Sequence, residues 1–236
     1  MTIHLVGGGR DEAWYAELYG PFLAEAGPEP EVACLLLDEG DVPEQFERWS
    51  AALAAAGACR PRVVPVLPGA GFDPSVLDGA DAVFVGGGLT PEYAAALAGP
   101  LGRRLAERPL PYAGFSAGAA IAAERAVVGG WLSDGVPVCP EETAEDLAEI
   151  EVRDGLGLLT PAVDVHAAQW GTLGRLVEAV ARGAVPYGLA IDENTALTVD
   201  GTTARVRGAG RVHLVRPDGD GAAAVRSYRA GEDLSF

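Results

Sequence analysis

The sequence predicts an α/β protein: a three-layer, doubly wound and mostly parallel sheet, finished by antiparallel hairpins at the C-terminal end. Three observations carry this. Short segments that are apolar throughout alternate with amphipathic ones, the pattern of parallel strands buried on both faces by helices. The stretch Leu110 to Arg125 holds Gly114-x-Ser116-x-Gly118, a strand that turns sharply into an Ala-rich run, which is the sequence form of a nucleophile elbow. From Tyr187 onward helical periodicity gives way to short strand-like runs divided by turn signals.

In chain order, Ile3 to Val6 reads as a first strand ending in Gly7-Gly8-Gly9, and Asp11 and Glu12 open a helix through Trp14, Leu18, Phe22 and Leu23. Val32 to Leu37 is a continuous apolar strand, followed by a helix from about Pro43 to Ala56. Arg62 to Leu67 and Ala82 to Val85 are the next strands. Gly86-Gly87-Gly88-Leu89 leads into a helix started by Thr90 and Pro91, an N-cap followed by proline at the first helical position. Leu110 to Gly114 then enters the elbow, where flanking glycines let strand and helix approach closely.

Beyond it, Ala126 to Gly130 is a short strand, and Pro140 to Ile150 is an acidic stretch expected to be a solvated helix face or mobile loop. Ala162 to His166 is a strand with histidine at its end, and Gly171 to Arg182 a helix with Leu173, Leu176, Val177 and Val180 on one face. Asp200-Gly201, Gly208 to Gly210 and Pro217 to Asp220 mark turns. The tail reads as an antiparallel extension of the sheet.

No Pro/Ser-rich linker, charge block or repeat divides the 236 residues, so one domain over 1–236 is expected. A net charge of −17 repels phosphates and anionic lipid, which argues against nucleic-acid or membrane-surface partners. There is no basic-then-apolar leader at Met1 and no apolar run of the roughly 20 residues that span a bilayer, so the expected location is cytoplasmic. Cys34, Cys59 and Cys139 are odd in number and lack a Cys-x-x-Cys pair, against a disulfide frame or zinc site. No metal or cofactor is expected.

A serine hydroxyl is a poor nucleophile near neutral pH and needs a base. The chain has three histidines, and all 17 of its basic residues are arginine, which removes a Ser-Lys dyad. His4 lies inside the first strand and His213 on a strand face near the C-terminus. His166 closes a strand, where ligand crevices of open parallel sheets lie, and is the base placed to meet Ser116. The third member is a carboxylate that orients the imidazole. Asp134, after the elbow helix, and Glu193, after another strand end, both fit; Asp164, Glu141 and Glu142 are weaker candidates. Ala117 supplies one oxyanion N–H by following the nucleophile, and the turn holding Gly87 and Gly88 can supply the other.

Gly114 to Ala119, preceded by a strand and Gly86-Gly87-Gly88-x-Thr90, resembles the S51 serine peptidases, which include aspartyl dipeptidase (peptidase E) and cyanophycinase and share a flavodoxin-like, class I glutamine amidotransferase-like fold. Asp164-Val-His166 through Gln169 to Gly174-Arg175-Leu176 is similar to the cyanophycinase-like Asp-Gln-His and Gly-Arg-Leu-Gly-Arg-Leu segments. Gly188 to Ala196 resembles that family's Gly-Ile-Asp-Glu-x-Thr-Ala stretch. The matches run in one order from about Ile3 to Val199.

The resemblance implies a serine-type dipeptidase or exopeptidase with Ser116 as nucleophile and His166 as general base. Asp134 is then the expected acid, because Ser133 to Pro137 is similar to the dipeptidases' Asn-Asp-x-Pro setting, with Glu193 the alternative. Gln169 and Arg175 are the expected substrate contacts, Arg175 reading an aspartyl acyl half. Two departures matter: Leu89 stands where the family often has Asn, Asp or Gln, and Thr172 where the cyanophycinase-like pattern has its first Arg. The second points away from cyanophycinase. The implied partner is a small peptide or isopeptide; a homodimer is left open. Two other classes remain: a non-catalytic amidotransferase-like binding or regulatory module, in which Ser116 is only a helix cap, and an esterase.

Overall fold

The computed structural model describes residues 1–236. The first half of the chain alternates strand and helix: β1 (Ile3–Val6), α1 (Tyr15–Ala26), β2 (Glu31–Leu37), α2 (Val42–Ala56), β3 (Arg60–Val66), β4 (Ala82–Val85), α3 (Thr90–Glu107), β5 (Tyr112–Phe115) and α4 (Ala117–Ala120). A segment with two small antiparallel pairs follows: β6 (Arg125–Gly129) with β9 (Glu151–Asp154), and β7 (Leu132–Ser133) with β8 (Val136–Pro137). The rest is β10 (Ala162–Val165), α5 (Leu173–Ala181), β11 (Gly188–Ile191), β12 (Thr195–Asp200), β13 (Thr203–Gly208), β14 (Arg211–Pro217), β15 (Ala223–Arg229) and β16 (Asp233–Ser235).

The expected class is correct. Eight strands form the main sheet in the order β3-β2-β4-β5-β1-β12-β13-β16. Its first five pair parallel, and β12, β13 and β16 extend it antiparallel. Alternation along each apolar strand explains the layering. Val32, Cys34 and Leu36 of β2 face Leu18 and Phe22 of α1 and Trp49 and Leu53 of α2, while Ala33, Leu35 and Leu37 join Tyr93, Leu97 and Leu101 of α3 on the other side. Each Val, Leu or Phe among them, fully removed from water, contributes roughly 1.5–3 kcal/mol.

Three expectations change. The Ala-rich run after the elbow makes only one helical turn, because the loop from Gly155 takes its carbonyls: Leu156 N–H donates to Ile121 O at 2.7 Å and Leu158 N–H to Ala122 O at 3.0 Å. The tail is not one extension of one sheet. β14 and β15 leave the main sheet at Gly208 (φ +92°) and join β10 and β11 in a second sheet of order β10-β11-β14-β15. Val163, Val165, Leu189 and Ile191 pack this sheet toward the main one, and Ala162, Ala190 and Val215 pack it against Leu176, Ala179 and Val180 of α5. The acidic stretch Pro140 to Ile150 is neither helix face nor free loop. It holds a short turn at Glu141–Thr143, and Glu145 is tucked inward so that its Oε2 accepts the Thr90 N–H at 3.0 Å, satisfying a donor in the first turn of α3. No helix is long and apolar enough to cross a membrane.

Candidate active site

The elbow is built as its glycines demand. Ser116 sits at φ 52° and ψ −113° between β5 and α4, a strained conformation for a residue with a side chain. A Cβ on Gly114 would come within 2.3 Å of Gly118 O, and one on Gly118 within 2.3 Å of Val85 O. Both must be glycine for the turn to close. The hydroxyl is thereby thrust into a cleft of about 1030 Å³ at the carboxyl ends of the parallel strands.

His166 follows the last residue of β10 at φ 56°, and Glu193 lies two residues beyond β11. β10 and β11 are parallel neighbours in register Val165↔Ile191, so their ends deliver both side chains to one spot. Ser116 Oγ donates to His166 Nε2 at 2.8 Å, and His166 Nδ1–H donates to Glu193 Oε1 at 2.7 Å. A carboxylate accepts only, so the proton stays on Nδ1 and leaves the Nε2 lone pair facing the serine. Burial holds the His166 pKa below its ordinary 6.5, with Glu193 acting in the opposite direction. The imidazole is therefore neutral at neutral pH.

Of the two acids weighed, the structure brings Glu193, not Asp134, to the histidine. Asp134 (φ 50°) and Gly135 (φ 76°) form the tip of the β7–β8 hairpin, the Asp-Gly pairing that two-residue turns favour. The Asp134 side chain is exposed, and its backbone N–H donates to Glu149 at 3.0 Å. Arg175 is also displaced from its expected role. It is 4% exposed, gives a two-point ion pair to Asp164 at 2.9 and 2.7 Å, and donates to Thr143 O at 2.8 Å. Burial disfavours its charge, yet Asp164 raises its pKa overall. Gln169 is also engaged within the chain: its Oε1 accepts the Glu193 N–H at 2.9 Å and steadies the turn that carries Glu193. Gly87 and Gly88 do line the cleft, a Cβ on Gly87 falling 3.5 Å from that of Ser116.

The cleft is acidic. Glu39, Asp41, Glu141, Glu142, Glu145 and Asp146 line it, with Arg10 and Arg48 as its arginines. Burial raises the pKa of Glu145 and of Glu39. No group of three or more His, Cys, Asp or Glu side chains is arranged to hold a metal ion.

Residues 73–207 match the family model for peptidase family S51. The chain belongs to that family. Its fold is also that of a crystal structure described as a putative peptidase E protein from Listeria monocytogenes EGD-e, with a TM-score of 0.54 over 89% of this chain and 98% of that one at 15% identity. Among curated proteins, none matches the sequence. The S51 chain is thus a peptidase by family.

Three further residues of this S51 site, Gly7, Gly8 and Trp170, escape sequence reasoning. Gly8 (φ +115°) packs on the imidazole so closely that a Cβ would lie 2.1 Å from His166 Cε1. Gly7 O accepts the His166 N–H at 2.8 Å. The glycine run after β1 therefore seats the histidine, and three consecutive glycines at a strand end were the available signal. Trp170 stacks on the same ring, centroids 3.8 Å apart and planes within 7°; its spacing four residues after a histidine carries no sequence signal in a loop.

Proposed function

We propose that this peptidase is serine-type, with Ser116, His166 and Glu193 as its catalytic triad. The single observation behind this reading is the unbroken hydrogen-bonded chain from Ser116 Oγ through both imidazole nitrogens to Glu193, at 2.8 and 2.7 Å. His166 Nε2 takes the Ser116 proton as Oγ attacks the amide carbonyl, and Glu193 stabilises the imidazolium that results. The Ala117 N–H, with that of Gly87 or Gly88, receives the oxyanion. His166 then returns the proton to the departing amine, giving an acyl-enzyme that water cleaves by the same steps reversed in role.

The substrate is a small peptide or isopeptide entering the open cleft as a dipeptidase or exopeptidase substrate would. An aspartyl acyl half would meet Arg10 or Arg48, since Arg175 is committed to Asp164. An active-site-directed fluorophosphonate tests the reading: it should label Ser116 in the native protein and leave Ser116→Ala and His166→Gln unlabelled. Equal labelling of the native protein and Ser116→Ala would sink it, as would hydrolysis of p-nitrophenyl esters with no peptide turned over.

A further inference from the structure

Trp170 is unusual twice over. It is 44% exposed, although it is the largest side chain type and lies in the cleft with Ser116, His166 and Glu193. Its indole is also face to face with the imidazole at 3.8 Å and 7°. The stack is built in rather than incidental, because the Trp170 N–H donates to His166 O at 2.8 Å, closing a turn that returns the indole over the ring. Gly8 presses on the same imidazole. The ring plane is thus fixed by contacts that leave Nε2 directed at Ser116 and Nδ1 at Glu193.

An indole face gains little from a neutral imidazole but attracts a cation through its quadrupole. In the proposed mechanism the imidazole is neutral in the resting enzyme and cationic whenever a tetrahedral species exists. An interaction that strengthens only on protonation lowers the barrier without tightening the ground state. We propose that Trp170 is a positioning residue that fixes the plane of His166 and stabilises its imidazolium during both proton transfers. This rests on the reading of His166 as general base.

The charged groups around His166 are Glu193 in contact at 2.7 Å, and Asp164 with its partner Arg175 close by on β10 and α5. Arg10 and Glu145 line the same cleft. All of them remain in a Trp170 variant, so a change in His166 titration belongs to the indole. Removing the indole destabilises the charged form, and the His166 pKa should fall further below 6.5. Loss of a merely structural shield would do the reverse: water would reach the ring and its pKa would climb back toward 6.5.

The experiment is an NMR titration of the histidine Cε1 protons, with His166 assigned by its disappearance in His166→Gln, alongside pH profiles of kcat/KM. In Trp170→Leu the His166 pKa should drop by about 0.5 to 1.5. The rising limb of kcat/KM should move to lower pH with it. The plateau should fall roughly 3- to 30-fold through kcat, with KM little changed. Trp170→Phe, which keeps an aromatic face, should lie between. A His166 pKa that stays put or rises in Trp170→Leu overturns the proposal, as does an unchanged plateau. The titration needs no turnover, so a native protein that hydrolyses nothing defeats the reading of Ser116, while the pKa comparison decides the role of Trp170 on its own.

Discussion

Replacing Glu193 by glutamine keeps the side chain's size and the Gln169 hydrogen bond to its backbone N–H, and removes only the carboxylate that faces His166 Nδ1. The magnitude follows from the contact. At 2.7 Å and an effective dielectric of about 20, a carboxylate and an imidazolium attract by ~6 kcal/mol, which corresponds to about four powers of ten in rate. The tautomer adds to this. A glutamine amide that donates to Nδ1 would force the proton onto Nε2, leaving no lone pair to accept from Ser116. We expect kcat/KM for a small-peptide panel to fall about 10⁴-fold in Glu193→Gln, in line with other triads that lose their acid. Asp134→Asn, on an exposed hairpin tip, should stay within about twofold. Thermal unfolding should be measured for both to exclude a folding defect. If Glu193→Gln kept activity within tenfold, or Asp134→Asn lost it, the assignment of the acid would be refuted.

Two other substitutions probe the frame of the site. Gly8→Ala places a Cβ 2.1 Å from His166 Cε1 at φ +115°; it should cost about 1–3 kcal/mol of stability and at least roughly 100-fold in kcat/KM, and near-native kinetics would show that the imidazole does not depend on this contact. Arg175→Met strands Asp164, which is 1% exposed, without its partner. A loss of about 3–5 kcal/mol by denaturant unfolding is expected, largely recovered when Asp164→Leu is added; a tenfold rise in KM at unchanged stability would instead restore Arg175 as a substrate contact.

The features legible in the sequence were those with local chemical causes. Gly114 and Gly118 flank a serine because the backbone admits nothing larger, and elimination among three histidines left one at a parallel strand end. The acid was harder, because Glu193 and Asp134 both follow strand ends in the sequence. What separates them is that β10 and β11 are parallel neighbours, a long-range pairing that no local pattern encodes, whereas Asp134-Gly135 was itself a local hairpin signal of the kind used elsewhere in the chain. Arg175 was an expected substrate contact because Gly174-Arg175-Leu176 resembles the cyanophycinase-like pattern, and such a match does not say which way a helix arginine faces. Its buried partner, Asp164, lies on an otherwise apolar strand, and a lone charge in such a strand is the trace of an internal ion pair. The division of the tail between two sheets hinged on Gly208, where a turn signal does not say which sheet the next strand joins.

That division has a consequence for how the site comes into being. Ser116 is carried by the main sheet, whereas His166 and Glu193 are carried by the second one. The seam between them is sewn by Gly7 and Gly8: Gly7 O takes the His166 N–H and Gly8 O the Asn194 N–H, at 2.8 and 2.7 Å. Neither sheet holds all three members of the proposed triad, so the 2.8 Å contact between serine and histidine works as a gauge of docking. A slip of one sheet by an ångström opens it while every strand keeps its own ladder. β12, which borders β1 in the finished sheet, lies beyond Glu193 in the chain. During synthesis Ser116 is made long before His166 and Glu193, so the proposed triad can assemble only once the last third of the chain has folded back onto its first strand.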